Sequence, residues 1–138
     1  MLRISKLADY ACVIMQFMAR GESDAPSAAY IAERTDIALP TVRKLLKQLS
    51  QSNLLISTRG VGGGYAMTNQ PHDISLINII EAVDGPVALT DCCTDKGCQM
   101  IKTCATKQSW RDINAVVVEA LNSKSLADLL HMEPAHAE

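Results

Sequence analysis

Three cysteines in the second half of the chain, Cys92, Cys98 and Cys104, have a spacing that suits metal chemistry. They form a C-x5-C-x5-C pattern among turn formers and small polar residues, which is a poor setting for core packing. Soft thiolates select zinc, copper(I) or iron–sulfur clusters. Structural zinc sites usually pair their ligands in C-x2-C hooks, and this stretch contains none. The wider spacing favours a polynuclear cluster, whose fourth ligand must come from elsewhere in the fold or from another chain.

The other two cysteines have different interpretations. Cys93 directly follows Cys92 and is a neighbour or a substitute ligand, whereas Cys12 lies among apolar residues and is interpreted as a core thiol. No Cys–His pair or Ser–His–Asp set is indicated. The glycine-rich stretch after Arg59 lacks the Gly-Lys-Ser/Thr of a phosphate-binding loop and the sixth-position glycine of a dinucleotide fingerprint. We therefore expect neither an enzyme nor a small-molecule substrate.

Length and composition limit the class of protein. A chain of 138 residues fits one domain, or one small domain with an appended arm. Hydrophobic residues make up 48% of the chain and aromatic residues only 4%, so aliphatic helices should form the core. No apolar run of about 18 residues predicts a membrane span, and the start lacks the apolar region of a signal peptide. We expect a cytoplasmic protein without a membrane partner, in which five cysteines indicate metal or redox chemistry rather than disulfides.

The distribution of charge is more informative than the net charge of −2. Residues 1–70 carry three more basic than acidic side chains, and residues 71–138 carry five more acidic than basic ones. Between Ile37 and His72 there are four basic residues and no acidic one. A solvated helix face is the common explanation of a charged run. The lack of compensating carboxylates here favours a polyanionic partner.

The elements that position these residues predict a mainly α fold with a small β-hairpin. Periodicity predicts helices over 5–20, 28–35, 40–52, 76–84 and 106–121, a hairpin over 54–68, and a short final turn capped by Ser125. Ser27 suits the cap of the second helix, and Pro40 suits the first position of the third. Two short helices joined by a tight turn form a helix-turn-helix, and the hairpin after them forms the wing of a winged helix.

The third predicted helix and the wing hold the candidate nucleic-acid contacts. These are Thr41, Arg43, Lys44 and Lys47 on the helix, and Arg59 and Gly60 in the wing. The basic helix residues lie off the apolar stripe, so they are free to meet a partner. A helix of this kind reads base edges in the major groove, and a wing arginine can enter a minor groove. We therefore expect double-stranded DNA as the partner.

The predicted organisation has four parts. Residues 1–84 form the winged helix-turn-helix domain with its wing at 54–68, residues 85–105 the cysteine loop, residues 106–132 a long helix with a short C-terminal helix, and residues 133–138 a tail. The long helix carries an apolar stripe of Trp110, Ile113, Val117 and Leu121. Such a stripe is either core or dimer seam, and a single small domain would struggle to cover it. We predict a dimer interface there.

Together these pieces resemble the iron–sulfur-sensing winged-helix transcriptional regulators typified by IscR and NsrR. The resemblance spans about residues 1–130 and rests on RISKLADY at 3–10, RGVGGGY at 59–65, IEAVDG at 80–85, WRD at 110–112 and the three cysteines. The opening MLR, PTVRKLLKQL at 40–49 and GPVALT at 85–90 are most similar to the branch that regulates the SUF cluster-assembly operon. The resemblance implies a homodimer paired through the long helix, a cluster near the dimer interface, and repression or activation set by cluster state.

The resemblance also bears on the fourth ligand. One branch of the family uses a histidine three residues after the third cysteine, but here that position holds Lys107, whose ammonium has no free lone pair. Another branch uses an aspartate of the first helix from the opposite subunit, and Asp9 holds the matching place, where a first-turn carboxylate also favours its helix. We therefore expect Cys92, Cys98, Cys104 and Asp9 of the partner subunit around a 4Fe–4S rather than a 2Fe–2S cluster. Cys93 is the alternative fourth ligand.

Two other function classes compete with a cluster-dependent regulator of SUF-type assembly genes. A zinc-binding winged-helix DNA-binding protein would be colourless, whereas an iron–sulfur protein absorbs visible light. An iron–sulfur cluster carrier would have no need of a recognition helix, so the basic stretch free of acidic residues argues against it.

Overall fold

The structure, a computed structural model, describes residues 2–131 as six α-helices and one two-stranded antiparallel sheet. The elements are α1 (Lys6–Arg20), α2 (Ala28–Thr35), α3 (Leu39–Gln51), β1 (Leu55–Ser57), β2 (Tyr65–Met67), α4 (Leu76–Asp84), α5 (Lys107–Asn122) and α6 (Leu126–His131). Single 3-10 turns lie at Pro71–Asp73 and Asp91–Cys93. The predicted fold class is confirmed, and the helix bounds differ from those predicted by at most one residue. The predicted tail at 133–138 lies outside the described residues.

Serine caps explain where several helices begin. The Ser5 hydroxyl accepts a hydrogen bond from the backbone of Ala8 at 3.0 Å, and the Ser27 hydroxyl accepts one from Tyr30 at 3.1 Å. Ser75 caps α4 in a reciprocal capping box with the next turn. Each cap satisfies a backbone N–H that has no partner within its helix, which typically contributes about 1 kcal/mol.

One apolar core joins the helix-turn-helix, the hairpin and two further helices. Helix α3 contributes Val42, Leu45, Leu46 and Leu49, all fully buried. The same core contains Ile14 and Met15 of α1, Ile31 of α2, Leu55 of β1, Ile79 of α4 and Leu126 of α6. Burying each of the larger side chains contributes about 1.5–3 kcal/mol. Helix α6 therefore packs with the first four helices, although the predicted organisation groups it with the long helix at 106–132.

The chain leaves this core after α4 and returns at α6. At the return point the Leu76 N–H donates to the Lys124 carbonyl at 2.8 Å, and the Leu126 N–H donates to the Ile74 carbonyl at 2.7 Å. This short bridge fixes the start of α6 beside the start of α4. We call residues 5–84 and 124–131 the body, and residues 85–123 the excursion. The excursion contains the cysteine segment and α5.

Helix α5 has little cover within one chain. None of its sixteen residues is buried. Val117 and Leu121 are half-buried and line a largely apolar cavity of about 600 Å³ between α4, the linker after it and residues 2–4. Trp110 and Ile113, from the same predicted stripe, remain 41% and 46% exposed.

No helix within residues 2–131 is long and apolar enough to cross a membrane.

Candidate DNA-binding surface and cysteine segment

The outer face of α3 is basic because its apolar stripe faces the core. Arg43, Lys44 and Lys47 are exposed, and Thr41 is half-buried in the first turn. The helix begins with a proline in its first turn, where a missing N–H costs nothing. Three of the basic side chains predicted to contact DNA therefore face solvent on one helix.

A continuous trough joins this face to the wing. Arg43 and Lys47 line a groove of about 600 Å³ between α3, the start of α2 and the hairpin. A second hollow of about 330 Å³ continues along the wing to Arg59 and Gly60. The two hollows have Ala28, Ser57 and Tyr65 in common. Sequence analysis missed these three residues because only the packing of the hairpin against α2 brings them to the trough.

The base of the wing is tightly fixed to the body. The Thr58 N–H donates to the Gly64 carbonyl at 2.8 Å, and the Gly64 N–H donates back to the Thr58 hydroxyl at 3.0 Å. The Tyr65 N–H donates to the Pro26 carbonyl at 3.0 Å. Gly64 lies so close to the loop before α2 that a Cβ would overlap the Ala25 carbonyl oxygen. The exposed tip of the wing therefore projects from a defined position beside α2.

Two neighbouring thiols of the excursion share one hydroxyl. Cys92 and Cys93 lie on the 3-10 turn, with their Sγ atoms 3.0 Å and 3.4 Å from Thr90 Oγ1. The Cys93 thiol also donates to the Trp110 carbonyl at 3.7 Å. Both thiols are half-buried and free of disulfides, as are Cys98 and Cys104 further along the segment.

The environments of Cys104 and Cys12 shift the pKa of the two thiols in opposite directions. Hydrogen bonds from the Thr106 hydroxyl and backbone lower the pKa of the Cys104 thiol, and the charge of Lys107 adds to the effect. This favours the thiolate, which is the form that binds metals. Burial raises the pKa of Cys12 to about 11, and the nearby Asp9 carboxylate adds to the rise. Cys12 packs against the core, in agreement with its interpretation as a core thiol.

The predicted metal ligands fit a cluster by their chemistry but are not gathered within one chain. Within residues 2–131, no three His, Cys, Asp or Glu side chains are arranged to hold a metal ion. Cys98 and Cys104 lie on successive hydrogen-bonded turns after the Cys92 turn. Asp9 is exposed on α1. A cluster held by the three thiolates would therefore require these turns to rearrange, with a fourth ligand from Asp9 of the partner subunit or from Cys93.

Polar contacts attach the linker and the thiol-bearing turn to α5. The Leu89 N–H donates to Asn114 Oδ1 at 2.9 Å, and Asn114 Nδ2 donates to the Val87 carbonyl at 3.4 Å. Arg111 Nε donates to the Cys92 carbonyl at 3.2 Å. Arg111 belongs to the WRD motif at 110–112, but the sequence did not indicate its contact, and no periodicity or motif indicated Asn114. The partners of both side chains are backbone atoms of a segment without regular structure.

The helix-turn-helix, its wing and the basic trough define a winged-helix DNA-binding protein. Residues 4–132 match the Rrf2 family, described as iron-dependent transcriptional regulators, and the chain belongs to this family. The resemblance to winged-helix regulators of the IscR type is thereby confirmed.

Individual relatives agree with this assignment. The chain is 34% identical over 131 residues to the HTH-type transcriptional regulator IscR of Yersinia pestis, covering 94% of this chain and 80% of that protein. Among solved structures it is similar to IscR of T. potens, with a TM-score of 0.75, 27% identity, and coverage of 99% and 93%. It is also similar to CymR (YrzC), the global cysteine regulator of B. subtilis, with a TM-score of 0.76, 27% identity, and coverage of 97% and 100%. These relatives are transcriptional regulators and not enzymes, as expected for this chain.

Proposed function

We propose that this transcriptional regulator binds operator DNA as a homodimer and holds an iron–sulfur cluster whose state sets its effect on transcription. The observation that carries the proposal is the C-x5-C-x5-C set of free, half-buried thiols on a segment attached to α5. Support comes from membership of a family described as iron-dependent and from relatives named IscR. The target genes are those of SUF-type cluster assembly, by resemblance of residues 40–49 and 85–90 to that branch.

The ligands are Cys92, Cys98, Cys104 and Asp9 of the partner subunit, with Cys93 as the alternative to Asp9. The lowered pKa of Cys104 supports a thiolate at its position. When bound, a 4Fe–4S cluster supplies iron chemistry that responds to oxygen, nitric oxide or iron supply. A carboxylate oxygen is a harder ligand than a thiolate and holds such iron less firmly, which suits a sensor.

The DNA contacts are those that line or flank the trough. Helix α3 enters the major groove with Thr41, Arg43 and Lys44 nearest the base edges, while Lys47 meets phosphate and Arg59 with Gly60 reaches the minor groove. A homodimer paired along Trp110, Ile113, Val117 and Leu121 presents two such helices. Its site is therefore a near-palindrome with half-sites one or more helical turns apart.

The cluster is tested by anaerobic purification with iron and sulfide counting and a visible spectrum. The expected result is a brown protein with about four iron and four sulfide per chain. Cys98→Ala should abolish the colour, whereas the matched core variant Cys12→Ala should keep it. A colourless protein with bound zinc would identify the competing zinc-binding class.

The fourth ligand is tested by a pair of variants in the same preparation. Asp9→Ala should leave the fold intact but change the cluster's spectrum or shorten its lifetime in air. Cys93→Ala should behave like the unsubstituted protein. The reverse pattern, an unchanged cluster in Asp9→Ala and none in Cys93→Ala, would assign the fourth ligand to Cys93.

The DNA surface is tested by selecting genomic fragments with the purified protein and then measuring affinity. Arg43→Ala should relax base preference by about 1–3 kcal/mol, because a lost base-edge contact affects one base pair most. Lys47→Ala should weaken all sequences alike and flatten the salt dependence. Lys124→Ala, a cation outside the trough, is the control. Failure to enrich any common motif would contradict sequence-specific binding.

The dimer is tested by the double substitution Ile113→Glu and Val117→Glu. Charges at both positions should give monomers with little operator affinity, because two carboxylates from each subunit would be buried at the seam. Size-exclusion chromatography measures the outcome. An unaltered dimer would show that the stripe packs inside one chain.

A further inference from the structure

The Asn114 side chain makes two hydrogen bonds to the linker after α4, residues 85–90. Both bonds form only when the amide oxygen faces Leu89 and the amide nitrogen faces Val87. Its oxygen accepts from the Leu89 N–H at 2.9 Å, and its nitrogen donates to the Val87 carbonyl at 3.4 Å. An amide can accept and donate with the same group, whereas a carboxylate has no donor and an ammonium has no acceptor. These two hydrogen bonds therefore fix the linker between the body and the thiols at one position along α5.

Two further contacts bond the thiol-bearing turn to the same helix. Arg111 Nε donates to the Cys92 carbonyl, and the Cys93 thiol donates to the Trp110 carbonyl. These three residues of α5 lie at i, i+1 and i+4, so they form one patch on the helix. No residue of α5 is buried, so these polar contacts are a major part of what fixes α5 against the linker.

We propose that Asn114 is the positioning residue that makes the thiol-bearing turn and α5 move as one unit. A change at Cys92, whether iron is bound or lost, then displaces α5 rather than being absorbed by a slack linker. In a dimer paired through α5, that displacement alters the relative placement of the two recognition helices. The inference rests on the proposed function for its signal, and the contact itself is tested separately from the cluster.

The first experiment tests the contact in the metal-free protein. Asn114→Ala should speed hydrogen exchange of the Leu89 amide at least about tenfold, because that N–H loses its acceptor. Asn114→Asp retains the acceptor and loses the donor, so exchange at Leu89 should stay near that of the unsubstituted protein. Asn122→Ala, at the exposed end of the same helix, is the control. Equal Leu89 exchange in Asn114→Ala and the control would overturn the proposal.

The second experiment tests the coupling with operator DNA. The ratio of operator affinities between cluster-loaded and cluster-free protein should move toward one by at least about fivefold in Asn114→Ala, within the usual range of allosteric coupling. Iron and sulfide content and the circular dichroism spectrum should match those of the Asn122→Ala control. If the ratio is unchanged, including the case in which both states lose affinity by the same factor, Asn114 has a purely structural role and the proposal is overturned.

Failure of the proposed function gives a different result. If the unsubstituted protein takes up no iron, the cluster assignment fails. Protein whose half-buried thiols in the excursion have been alkylated with N-ethylmaleimide then replaces the cluster-loaded state. The coupling then predicts that treatment changes operator affinity in the unsubstituted protein and less so in Asn114→Ala. Equal ratios in the two proteins would overturn the positioning role independently of iron.

Discussion

The body and the excursion are held together by different kinds of interaction. Among the described residues, every buried apolar side chain lies in the body, and the excursion from 85 to 123 contains none. The excursion is fixed instead by hydrogen bonds to backbone atoms and by the half-buried Val117 and Leu121. The body therefore specifies its own shape, whereas the excursion needs additional contacts, from a bound group or a second chain, to reach comparable packing.

The sharpest test compares one apolar residue from each region. Leu46→Ala should lower the free energy of unfolding by about 2–5 kcal/mol, because Leu46 is fully buried and its loss leaves a cavity. Ile113→Ala should cost less than about 0.5 kcal/mol within one chain, because Ile113 is 46% exposed. Urea unfolding followed by circular dichroism measures both.

Protein concentration separates the intrinsic effect from that of the dimer. The loss in Leu46→Ala should be the same at all concentrations, whereas any extra loss in Ile113→Ala should depend on concentration, because it arises from association. A large, concentration-independent loss in Ile113→Ala would contradict the contrast between the two regions.

The second test compares the reactivity of one thiol from each region in metal-free protein. At pH 7, Cys104 should react with iodoacetamide roughly 100-fold or more faster than Cys12, because only the thiolate reacts. The pKa of Cys104 is lowered from the ordinary 9.0, so more thiolate is present at a given pH. The pKa of Cys12 is raised to about 11 and keeps it protonated. Peptide mass spectrometry over a pH series measures the rates, and equal rates would contradict the different environments.

The third test compares two glycines with different reasons for being glycine. Gly64→Ala should lower the free energy of unfolding by about 1–3 kcal/mol and weaken DNA binding, because the new methyl group pushes the wing off the Ala25–Pro26 backbone. Gly97, in the excursion, has a positive φ of +70° and open space around it. Gly97→Ala should add about 1–2 kcal/mol of local backbone strain in the excursion. The free energy of unfolding of the body should not change. Equal effects on the melting of the body would refute this difference.

The smallest expected effect concerns the cap of α6. The Asp128 carboxylate accepts from the Ser125 N–H at 2.8 Å, and this bond lowers the pKa of Asp128 below its ordinary 3.8. Because the folded pKa is depressed, the stabilisation is present above pH 3.8 and is lost as the pH falls below it. Asp128→Asn should therefore be slightly less stable than the unsubstituted protein near pH 6 and equal to it near pH 2. Asp112→Asn on α5 is the matched control, and urea midpoints measure both.

The body was largely predictable because its signals are local. The spacing of Val42, Leu45, Leu46 and Leu49, the caps at Ser5, Ser27 and Ser75, and the glycines of the wing each determine structure within a few residues. The packing of α6 into the core was not predictable in this way. Leu126 is buried because the Ser75–Ser125 bridge returns the chain to α4, which joins residues fifty positions apart.

The candidate site was predictable in residue type more than in arrangement. The cysteine spacing and the cations of α3 are visible in the sequence, and the structure gives their exposure and neighbours. The hydroxyl of Thr90 between two thiols, the amide of Asn114 and the trough residues Ser57 and Tyr65 were not visible. Their roles depend on contacts with backbone atoms or with a distant helix, and no repeating pattern in the sequence records such contacts.

The bridge between Ser75 and Ser125 has a consequence for how such regulators can change. The bridge holds the end of the excursion beside the start of α4. The excursion begins at the other end of this nine-residue helix, roughly 14 Å away. Seen from the body, the excursion is an insert between two nearby fixed points, which about four or five extended residues could span. Doubling the length of such an insert costs only about 0.6 kcal/mol in closure entropy. The winged-helix body can thus accept a different insert, longer or shorter, while its own core stays unaltered.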